Sequence, residues 1–202
     1  DTLSSLVIQD YPNDELEIIV VDNGSGDLTL EIAKNFERKY PKIINVEVED
    51  QIQGSYAARN MGIKHAKGDI LIFIDSNITV YQDYVSRVVQ KFKNSSVDYL
   101  GCNVKMLKRE KTIASKYNFL NGFNIKKAIE NDHYTPTCNL SIKKRIINEL
   151  GVFDERLEGG GDFEFGERVY ERGFELGYAN EIILHHPTRH TYLSLIKKAQ
   201  RV

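Results

Sequence analysis

The chain contains 202 residues with a formal net charge of −2, and 41% of its residues are hydrophobic, as expected of a globular protein with one domain or two closely fused half-domains. The near-neutral charge argues against nucleic acid as the main partner, and no apolar run approaches the roughly 20 residues of a membrane span. Cys102 and Cys138 are too few for a disulfide scaffold and lack zinc-ligand spacing, which favours a reducing compartment.

The first predicted strand ends in a candidate ligand site. Residues 1–10 place apolar side chains on one helical face, and the apolar run 18–21 then indicates a strand buried on both sides. Asp22 lies at the carboxyl end of this strand, where open α/β sheets bind ligands, and it could accept a hydrogen bond from the imide N–H of uracil. Ser25 or Asp27 could cap the following helix instead, and both interpretations can hold because they use different residues.

The next segments lead to a helix built mainly from small residues. Residues 28–40 carry an apolar side chain at every fourth position, which predicts an amphipathic helix. In residues 43–48 apolar and polar side chains alternate, which predicts a strand near a sheet edge. Gly54 then opens a helix that Gly68 ends. Arg59 on this helix could reach a phosphate, although a solvated surface charge would account for the same residue.

A second buried strand ends in a candidate metal site. The five apolar residues 70–74 indicate a strand, and Asp75, Ser76 and Asn77 follow at its carboxyl end. A carboxylate with a second oxygen ligand two residues later suits a divalent cation that holds a diphosphate. An Asx turn at the strand end, with no ligand, is the alternative explanation for these three residues.

The following segments are predicted as mixed helix and strand. The apolar spacing of residues 84–92 predicts an amphipathic helix. In residues 98–107 two kinds of side chain alternate, which predicts a strand whose two faces differ in character. The charged segment 108–131 permits helix but has no clear assignment. A short strand at 137–142 and a short helix at 143–150 complete this part of the chain.

A run of three glycines precedes a candidate catalytic residue. Residues 159–161 lead to Asp162 at the start of a helix that ends at Gly173. The helix dipole stabilises a carboxylate there, so Asp162 could be a simple N-cap. A cap needs one flexible residue before it, whereas three glycines favour a backbone approached by a bulky ligand. An anionic Asp beside such a cleft suits removal of a proton from a hydroxyl.

The last predicted strand, residues 182–184, ends in two histidines. Imidazole suits manganese or zinc, so His185 or His186 could complete a metal site with Asp75 and Asn77. Adjacent residues of a strand point to opposite faces, so at most one of them can do so. We assign this role to His185.

These segments together resemble the family 2 glycosyltransferases, inverting enzymes of the GT-A fold. The resemblance keeps the family's order and spacing over nearly the whole chain, and it is carried by residues 5–12, 17–25, 54–77, 139–142, 151–155 and 158–168. It implies an α/β, Rossmann-like GT-A fold, a three-layer α/β/α sandwich with a mostly parallel central sheet. It also implies a single domain over residues 1–202, with the donor half at about 1–100 and the acceptor half at about 101–202.

The resemblance implies transfer of a sugar from a nucleoside-diphosphate sugar, expected to be a UDP-sugar, to a hydroxyl of a glycan, lipid-linked sugar or protein. The cofactor would be Mn²⁺ or Mg²⁺, and the setting polysaccharide or glycoconjugate synthesis in the cytoplasm, with peripheral association at the inner face of the membrane. Asp22 would contact the base, Asp75 and Asn77 would form the Asp-x-Asp-type metal and donor site, and Asp162 would be the catalytic base. The remaining assignments are Asn23, Gly54, Arg59 and Ser76 to the donor, and Gly160, Gly161 and Glu164 to the acceptor side.

Three departures from the family pattern leave alternatives open. The family's first apolar strand, ending in Pro-x-(Tyr/Phe)-Asn, is absent ahead of residue 1, which would leave two strand edges unpaired and suggests a fragment or a strand supplied from elsewhere. Asn77 replaces the usual acidic residue, and Gly161 the usual Glu. A catalytically weak sugar- or nucleotide-binding module and a nucleotidyltransferase are therefore the alternative functions.

Overall fold

The structure, a computed structural model, describes residues 1–108 and 110–199. The first half of the chain contains α1 (Thr2–Leu6), β1 (Ile18–Asp22), α2 (Thr29–Lys39), β2 (Ile44–Val48), α3 (Ser55–His65), β3 (Ile70–Ile72), β4 (Thr79–Val80) and α4 (Tyr84–Lys93). The second half contains β5 (Tyr99–Leu107), α5 (Ile113–Leu120), α6 (Ile125–Asp132), a 3₁₀ turn (Thr137–Asn139), β6 (Leu140–Lys143), α7 (Arg145–Leu150), α8 (Gly161–Glu171), β7 (Leu176–Pro187) and α9 (Tyr192–Ala199).

The strands form two sheets. β1 and β2 pair in parallel, and a five-stranded sheet has the order β3-β6-β5-β7-β4. In the larger sheet β5 and β7 are parallel, whereas the pairs β3–β6, β5–β6 and β4–β7 are antiparallel. The predicted α/β class is confirmed, but the sheet is mixed rather than mostly parallel. Continuous apolar runs mark buried strands whatever the direction of their neighbours, so the sequence pattern does not reveal this.

Helices cover both faces of the five-stranded sheet. On one face α4 and α6 pack against β5 and β7, with Val88 and Ile129 in that core. On the other face α3, α7 and α8 pack against β3 and β6, with Ile63 and Phe165 buried there. This is the predicted three-layer α/β/α arrangement, in which helices cover both faces of the five-stranded sheet.

The two sheets meet at strands that have open edges. Among the described residues, β1 pairs only with β2, and β3 pairs only with β6. β2 and β4 likewise have one partner strand each, so both sheets end in open edges within the described residues. Glu17 Oε1 accepts hydrogen bonds from the backbone N–H groups of Lys67, at 2.6 Å, and Gly68, at 2.9 Å. These bonds link the start of β1 to the turn before β3.

The segments after β5 that lacked a clear assignment fold as two helices. Residues 108–131 contain α5 and most of α6, and the last strand is much longer than the predicted 182–184 because β7 spans Leu176–Pro187. The β5–β7 ladder has a register shift between Cys102 and Asn103. This irregularity sets which side chains near the end of β7 face each side of the sheet.

Candidate active site

One cleft gathers the candidate catalytic and metal-binding residues. It lies at the carboxyl ends of β3, β5 and β7, has a cavity volume of about 170 Å³ and is partly open to solvent. The described residues that line it include Arg59, Asp75, Thr137, Cys138, Asp162, His186, Arg189 and Lys198. Ligands of open α/β sheets bind at this end of the strands.

Asp75 enters the cleft from a tight turn after β3. The backbone N–H of Ile78 donates to the carbonyl oxygen of Asp75 at 3.0 Å, which closes the turn. Arg59 Nη2 lies 3.2 Å from Asp75 Oδ1, with the Arg59 side chain 17% exposed and that of Asp75 44% exposed. The Arg59 guanidinium also lies 5.3 Å from the centre of the Tyr56 ring. Arg59 is therefore part of the cleft wall, not a solvated surface charge.

The other two residues of the predicted Asp75–Asn77 site lie outside the cleft. Ser76 and Asn77 are exposed, and neither lines the cleft. The carbonyl oxygen of Ser76 accepts a hydrogen bond from Thr2 Oγ1 at 2.7 Å, which ties the turn to α1. Asn77 is thus exposed and outside the lining of the cleft that Asp75 enters, and its part in a metal site stays a prediction.

The histidine that reaches the cleft is His186, not His185. The His185 ring meets the Tyr81 ring edge-on at 5.0 Å, and His185 does not line the cleft. His186 is buried and lies in the cleft wall beside Phe123, with ring centres 5.3 Å apart. Alternation along β7 separates the two side chains. We therefore replace His185 by His186 as the candidate metal ligand.

The geometry of His186 leaves one ring nitrogen available as a ligand. Its Nδ1 lies 2.7 Å from the carbonyl oxygen of Pro187, which can only accept, so Nδ1 carries the proton. Burial lowers the pKa of His186, although the Pro187 carbonyl and the charge of Asp75 oppose that shift. The neutral ring therefore presents an unprotonated Nε2, the form that binds a metal.

A divalent cation fits the chemistry of this pair. The Asp75 carboxylate is accessible, and carboxylate with imidazole suits manganese. The described residues contain no group of three or more His, Cys, Asp or Glu side chains that could hold a metal. A cation would therefore take its further ligands from diphosphate oxygens and water, as Mg²⁺ commonly does.

Asp162 is held by a residue distant in sequence and does not cap its own helix. Its Oδ1 accepts a hydrogen bond from Thr137 Oγ1 at 2.5 Å, and its Oδ2 accepts one from Thr137 N at 3.2 Å. The residue preceding α8 is Gly160, and no side chain caps the helix. The N-cap interpretation is therefore wrong. Two donors fix the carboxylate in the cleft while lone pairs remain for a ligand.

Backbone conformation and side-chain packing explain the glycines at residues 160 and 161, which precede Asp162. Gly160 has φ of 75°, a left-handed conformation that favours glycine. A Cβ at Gly161 would lie 2.7 Å from the Tyr56 ring, so no side chain fits there. Close approach of a ligand is not needed to explain either residue. Their predicted place on the acceptor side stays a prediction.

Glu164 serves α8 rather than the cleft. It pairs with Arg168 through Nε–Oε1 and Nη2–Oε2 distances of 2.5 and 3.1 Å. Arg168 also donates to the carbonyl oxygens of Leu150, at 2.8 Å, and Val152, at 2.9 Å. Glu164 does not line the cleft, so this geometry favours a structural role over contact with an acceptor.

Asp22 presents a buried acceptor without a partner. Its Oδ2 accepts from Ser25 N at 3.1 Å, whereas its buried Oδ1 has no hydrogen-bond partner among the described residues. An unsatisfied buried oxygen is destabilising, and a donor on a ligand would remove that cost. The predicted cap of the following helix by Ser25 or Asp27 is wrong, because Leu28 is the N-cap residue of α2 and no side chain caps that helix; Asp27 Oδ1 instead accepts a hydrogen bond from Thr29 N at 2.9 Å.

Asn23 shapes the loop beside Asp22. Its Nδ2 donates to the carbonyl oxygens of Glu49 and Ile52, both at 2.8 Å, and its Oδ1 accepts from Gly54 N at 2.7 Å. Gly54 has φ of 148°, in the region that favours glycine. The Asn23 amide is thus occupied within the protein, and it positions the turn before α3 instead of offering free groups to a donor.

Several cleft residues were not identified from the sequence. Thr137 showed no signal, because its partner Asp162 is 25 positions away. Arg189 and Lys198 lie in a carboxyl-terminal stretch that is basic and lacks acidic residues, a pattern that could have identified them. Cys138 also lines the cleft, but burial and the charges of Asp75 and Asp162 raise its pKa, so its thiol stays protonated and is no nucleophile.

The sequence matches a family model and several curated proteins. Residues 1–151 match the family Glycosyl transferase family 2. Glycosyltransferase AglE of Haloferax volcanii is 35% identical over 201 residues, covering 99% of this chain and 66% of that protein. The uncharacterized glycosyltransferase YfnE of Bacillus subtilis is 24% identical, covering 86% of this chain and 57% of that protein. The chain thus spans less than two thirds of the length of these relatives.

Solved structures share the fold. Mannosyltransferase PcManGT from Pyrobaculum calidifontis, in complex with GDP-Man and Mn²⁺, has a TM-score of 0.77 at 22% identity, covering 99% of this chain and 56% of that one. S. aureus TarS 1-349, in complex with UDP, has a TM-score of 0.72 at 21% identity, covering 93% and 55%. At such identities the likeness concerns the fold alone, and it confirms the predicted Rossmann-like GT-A fold.

Proposed function

The chain belongs to glycosyl transferase family 2, and from that premise we propose that it transfers a sugar from a UDP-sugar to an acceptor hydroxyl with inversion at the anomeric carbon. The observation that carries the proposal is the convergence of Arg59, Asp75 and Asp162 on one cleft. These residues come from α3, the turn after β3 and α8, so three separate segments supply one constellation. The matching family model and the 35% identical relative are both glycosyltransferases, which supports the proposal of sugar transfer.

Each residue has a role in a single displacement. Asp162, oriented by Thr137, takes the proton from the acceptor hydroxyl. The acceptor oxygen forms a bond to the anomeric carbon while the bond from that carbon to the diphosphate breaks, and UDP leaves. Arg59 stabilises the negative charge that develops on the diphosphate. A divalent cation, held by Asp75 and Nε2 of His186, would supply further neutralisation of that leaving group when bound.

A module that binds nucleotide sugars without turnover is the second candidate. One observation favours it. Asn77 is exposed and does not line the cleft, so Asp75 is the one member of the predicted Asp75–Asn77 pair that the described cleft lining contains. Release of free sugar or transfer to an added acceptor, measured with UDP-sugars and Mn²⁺, distinguishes the two. An enzyme consumes the donor, whereas a binding module returns it unchanged.

Asp22→Asn is expected to weaken UDP binding by about tenfold or more. If the Asn oxygen keeps the bond to Ser25 N, its amide group meets the imide N–H of uracil as donor against donor, and a buried hydrogen bond to a charged group is lost. Calorimetric titration with UDP, and with GDP for comparison, measures the change. The matched control is Asp27→Asn in the same loop, for which unchanged affinity is expected. Equal affinity in both variants would remove Asp22 from the donor site.

We propose that the chain also associates with a membrane surface from the cytoplasmic side. The described residues include no helix that is long and apolar enough to span a bilayer. Exposed apolar side chains lie on one face of α5, Ile113, Tyr117 and Leu120, and α9, which packs on α5, exposes three more. Lys108, Lys111 and Lys116 are exposed nearby. Apolar residues flanked by lysines suit an anionic lipid surface.

Vesicle sedimentation tests this association. Tyr117→Ser/Leu120→Ser should lower binding to phosphatidylglycerol-containing phosphatidylcholine vesicles by at least about tenfold, because two exposed apolar side chains that would insert into the lipid surface are lost. The matched control is Leu28→Ser/Ile32→Ser, which removes exposed apolar side chains near and in α2. Equal binding of both variants, or equal binding to pure phosphatidylcholine, would argue against this surface.

A further inference from the structure

Two cationic side chains from the last part of the chain converge on the cleft. Arg189 follows the end of β7, and Lys198 belongs to α9; both line the cleft. The backbone N–H of Arg189 donates to Asn118 Oδ1 in α5 at 2.8 Å, which fixes the segment at this point. Lys198 Nζ lies 5.1 Å from the ring centre of Phe123, another cleft residue. The ammonium group thus lies at the cleft although much of its side chain is exposed.

The carboxylates of the cleft do not neutralise these two charges. Asp75 pairs with Arg59, and Asp162 is held by Thr137. Within the described part of the chain, neither Arg189 nor Lys198 forms an ion pair, and Asp75 and Asp162 are the acidic residues among the described cleft lining.

Two positive charges in a partly desolvated cleft repel each other, and a bound anion between them would offset that repulsion. Burial lowers the pKa of Lys198, and the charge of Arg189 lowers it further. A single solvated cation at a protein surface needs no partner, but two cations that line the same partly enclosed cleft raise the electrostatic free energy of the empty site. Perturbed charged groups of this kind cluster at functional sites.

We propose that Arg189 and Lys198 form a phosphoryl-binding pair in the cleft. The inference rests on the proposed function, since it assigns a further anion contact to the same site. The Arg189 guanidinium offers a planar fork that matches two phosphate oxygens, and the Lys198 ammonium adds a point charge. The phosphoryl group belongs either to the donor diphosphate or to a phosphate carried by the acceptor. The chemistry of recognition is the same for both sources.

The test uses the double variant Arg189→Gln/Lys198→Gln in calorimetric titrations with uridine, UDP and inorganic pyrophosphate. The expected result is a loss of about 100-fold in affinity for UDP and pyrophosphate, about tenfold for each charged contact, with uridine affinity unchanged. The matched control is Lys93→Gln/Lys127→Gln, which removes the same charge at exposed positions outside the cleft. The Lys198→Gln single variant serves if the double variant fails to fold, because Lys198 forms no hydrogen bond or ion pair within the described residues.

A further titration identifies the source of the phosphoryl group. If the double variant binds UDP normally but no longer binds inorganic phosphate in the presence of saturating UDP, the pair serves an acceptor phosphate. Equal binding of UDP, pyrophosphate and phosphate by the wild type and the double variant would overturn the proposal, as would a wild-type chain that binds none of them.

The outcomes separate this inference from the proposed function. A wild-type chain that binds pyrophosphate through Arg189 and Lys198, yet binds UDP no more tightly than pyrophosphate and binds no uridine, retains the anion pair and contradicts nucleotide recognition. A double variant that transfers sugar at the wild-type rate and binds UDP, pyrophosphate and inorganic phosphate as the wild type does contradicts the anion pair alone.

Discussion

Asp162→Asn is expected to lower the rate of sugar transfer by about 10²–10⁴-fold, the usual range for removal of a general base. The substitution preserves the size of the side chain, and the amide oxygen can still accept a hydrogen bond from Thr137. It cannot accept the proton of the acceptor hydroxyl. UDP affinity should be nearly unchanged, because Asp22 and Asp75, rather than Asp162, are proposed to hold the donor. Transfer rate and UDP affinity are measured on one preparation.

Glu164→Gln is the matched control for this experiment. Glu164 is on the same helix, two residues further along, and pairs with Arg168 outside the cleft. Its substitution should leave the transfer rate largely unchanged. If Asp162→Asn loses donor binding and activity together, Asp162 has a structural role through Thr137. If it loses neither, Asp162 takes no part in the reaction.

Asp75→Asn is expected to abolish the dependence of UDP binding on Mn²⁺ or Mg²⁺, with a large loss of transfer. The amide keeps the shape of the carboxylate but is a much weaker ligand for a hard divalent cation. It also leaves Arg59 without its ion-pair partner, so UDP binding without metal should persist or strengthen. The measurement is UDP affinity with Mn²⁺ and with EDTA. Equal affinity of the wild type in both conditions would count against the metal site.

Two further comparisons locate the metal. Asp83→Asn removes the same charge from an exposed carboxylate that pairs with Arg87, and it should retain the metal dependence. His186→Gln should weaken Mn²⁺ binding, whereas His185→Gln, against Tyr81, should not. Equal effects of the two histidine variants would exclude Nε2 of His186 as a ligand.

The features that were predictable from sequence depend on short stretches of chain. The apolar run 18–21 lies in β1, and the first three residues of the run 70–74 form β3, so both predicted strands exist although the second is shorter than expected. Asp75 lies three residues after the end of β3, and the local pattern predicted its place near the carboxyl end of that strand. The helical segment that carries Arg59 was predictable for the same reason. Hydrophobic periodicity and the residues that begin or end a helix are properties of the local sequence, so contacts with distant segments do not alter them.

The features that were missed depend on contacts between distant segments. Strand direction in the five-stranded sheet follows from topology rather than from periodicity. The choice between His185 and His186 depends on the phase of β7, which is set by its ladder with β5 and by the register shift after Cys102. The partner of Asp162 comes from the 3₁₀ turn before β6, and no spacing rule connects the two.

The contact between Tyr56 and Gly161 has an evolutionary consequence. The Tyr56 ring fills the space that a side chain at residue 161 would need, and its hydroxyl accepts a hydrogen bond from Asp162 N at 3.3 Å. A Glu at residue 161, usual in the resembled family, would therefore require the Tyr56 ring to shift or to be replaced by a smaller side chain. The two positions are epistatic although they are far apart in the chain.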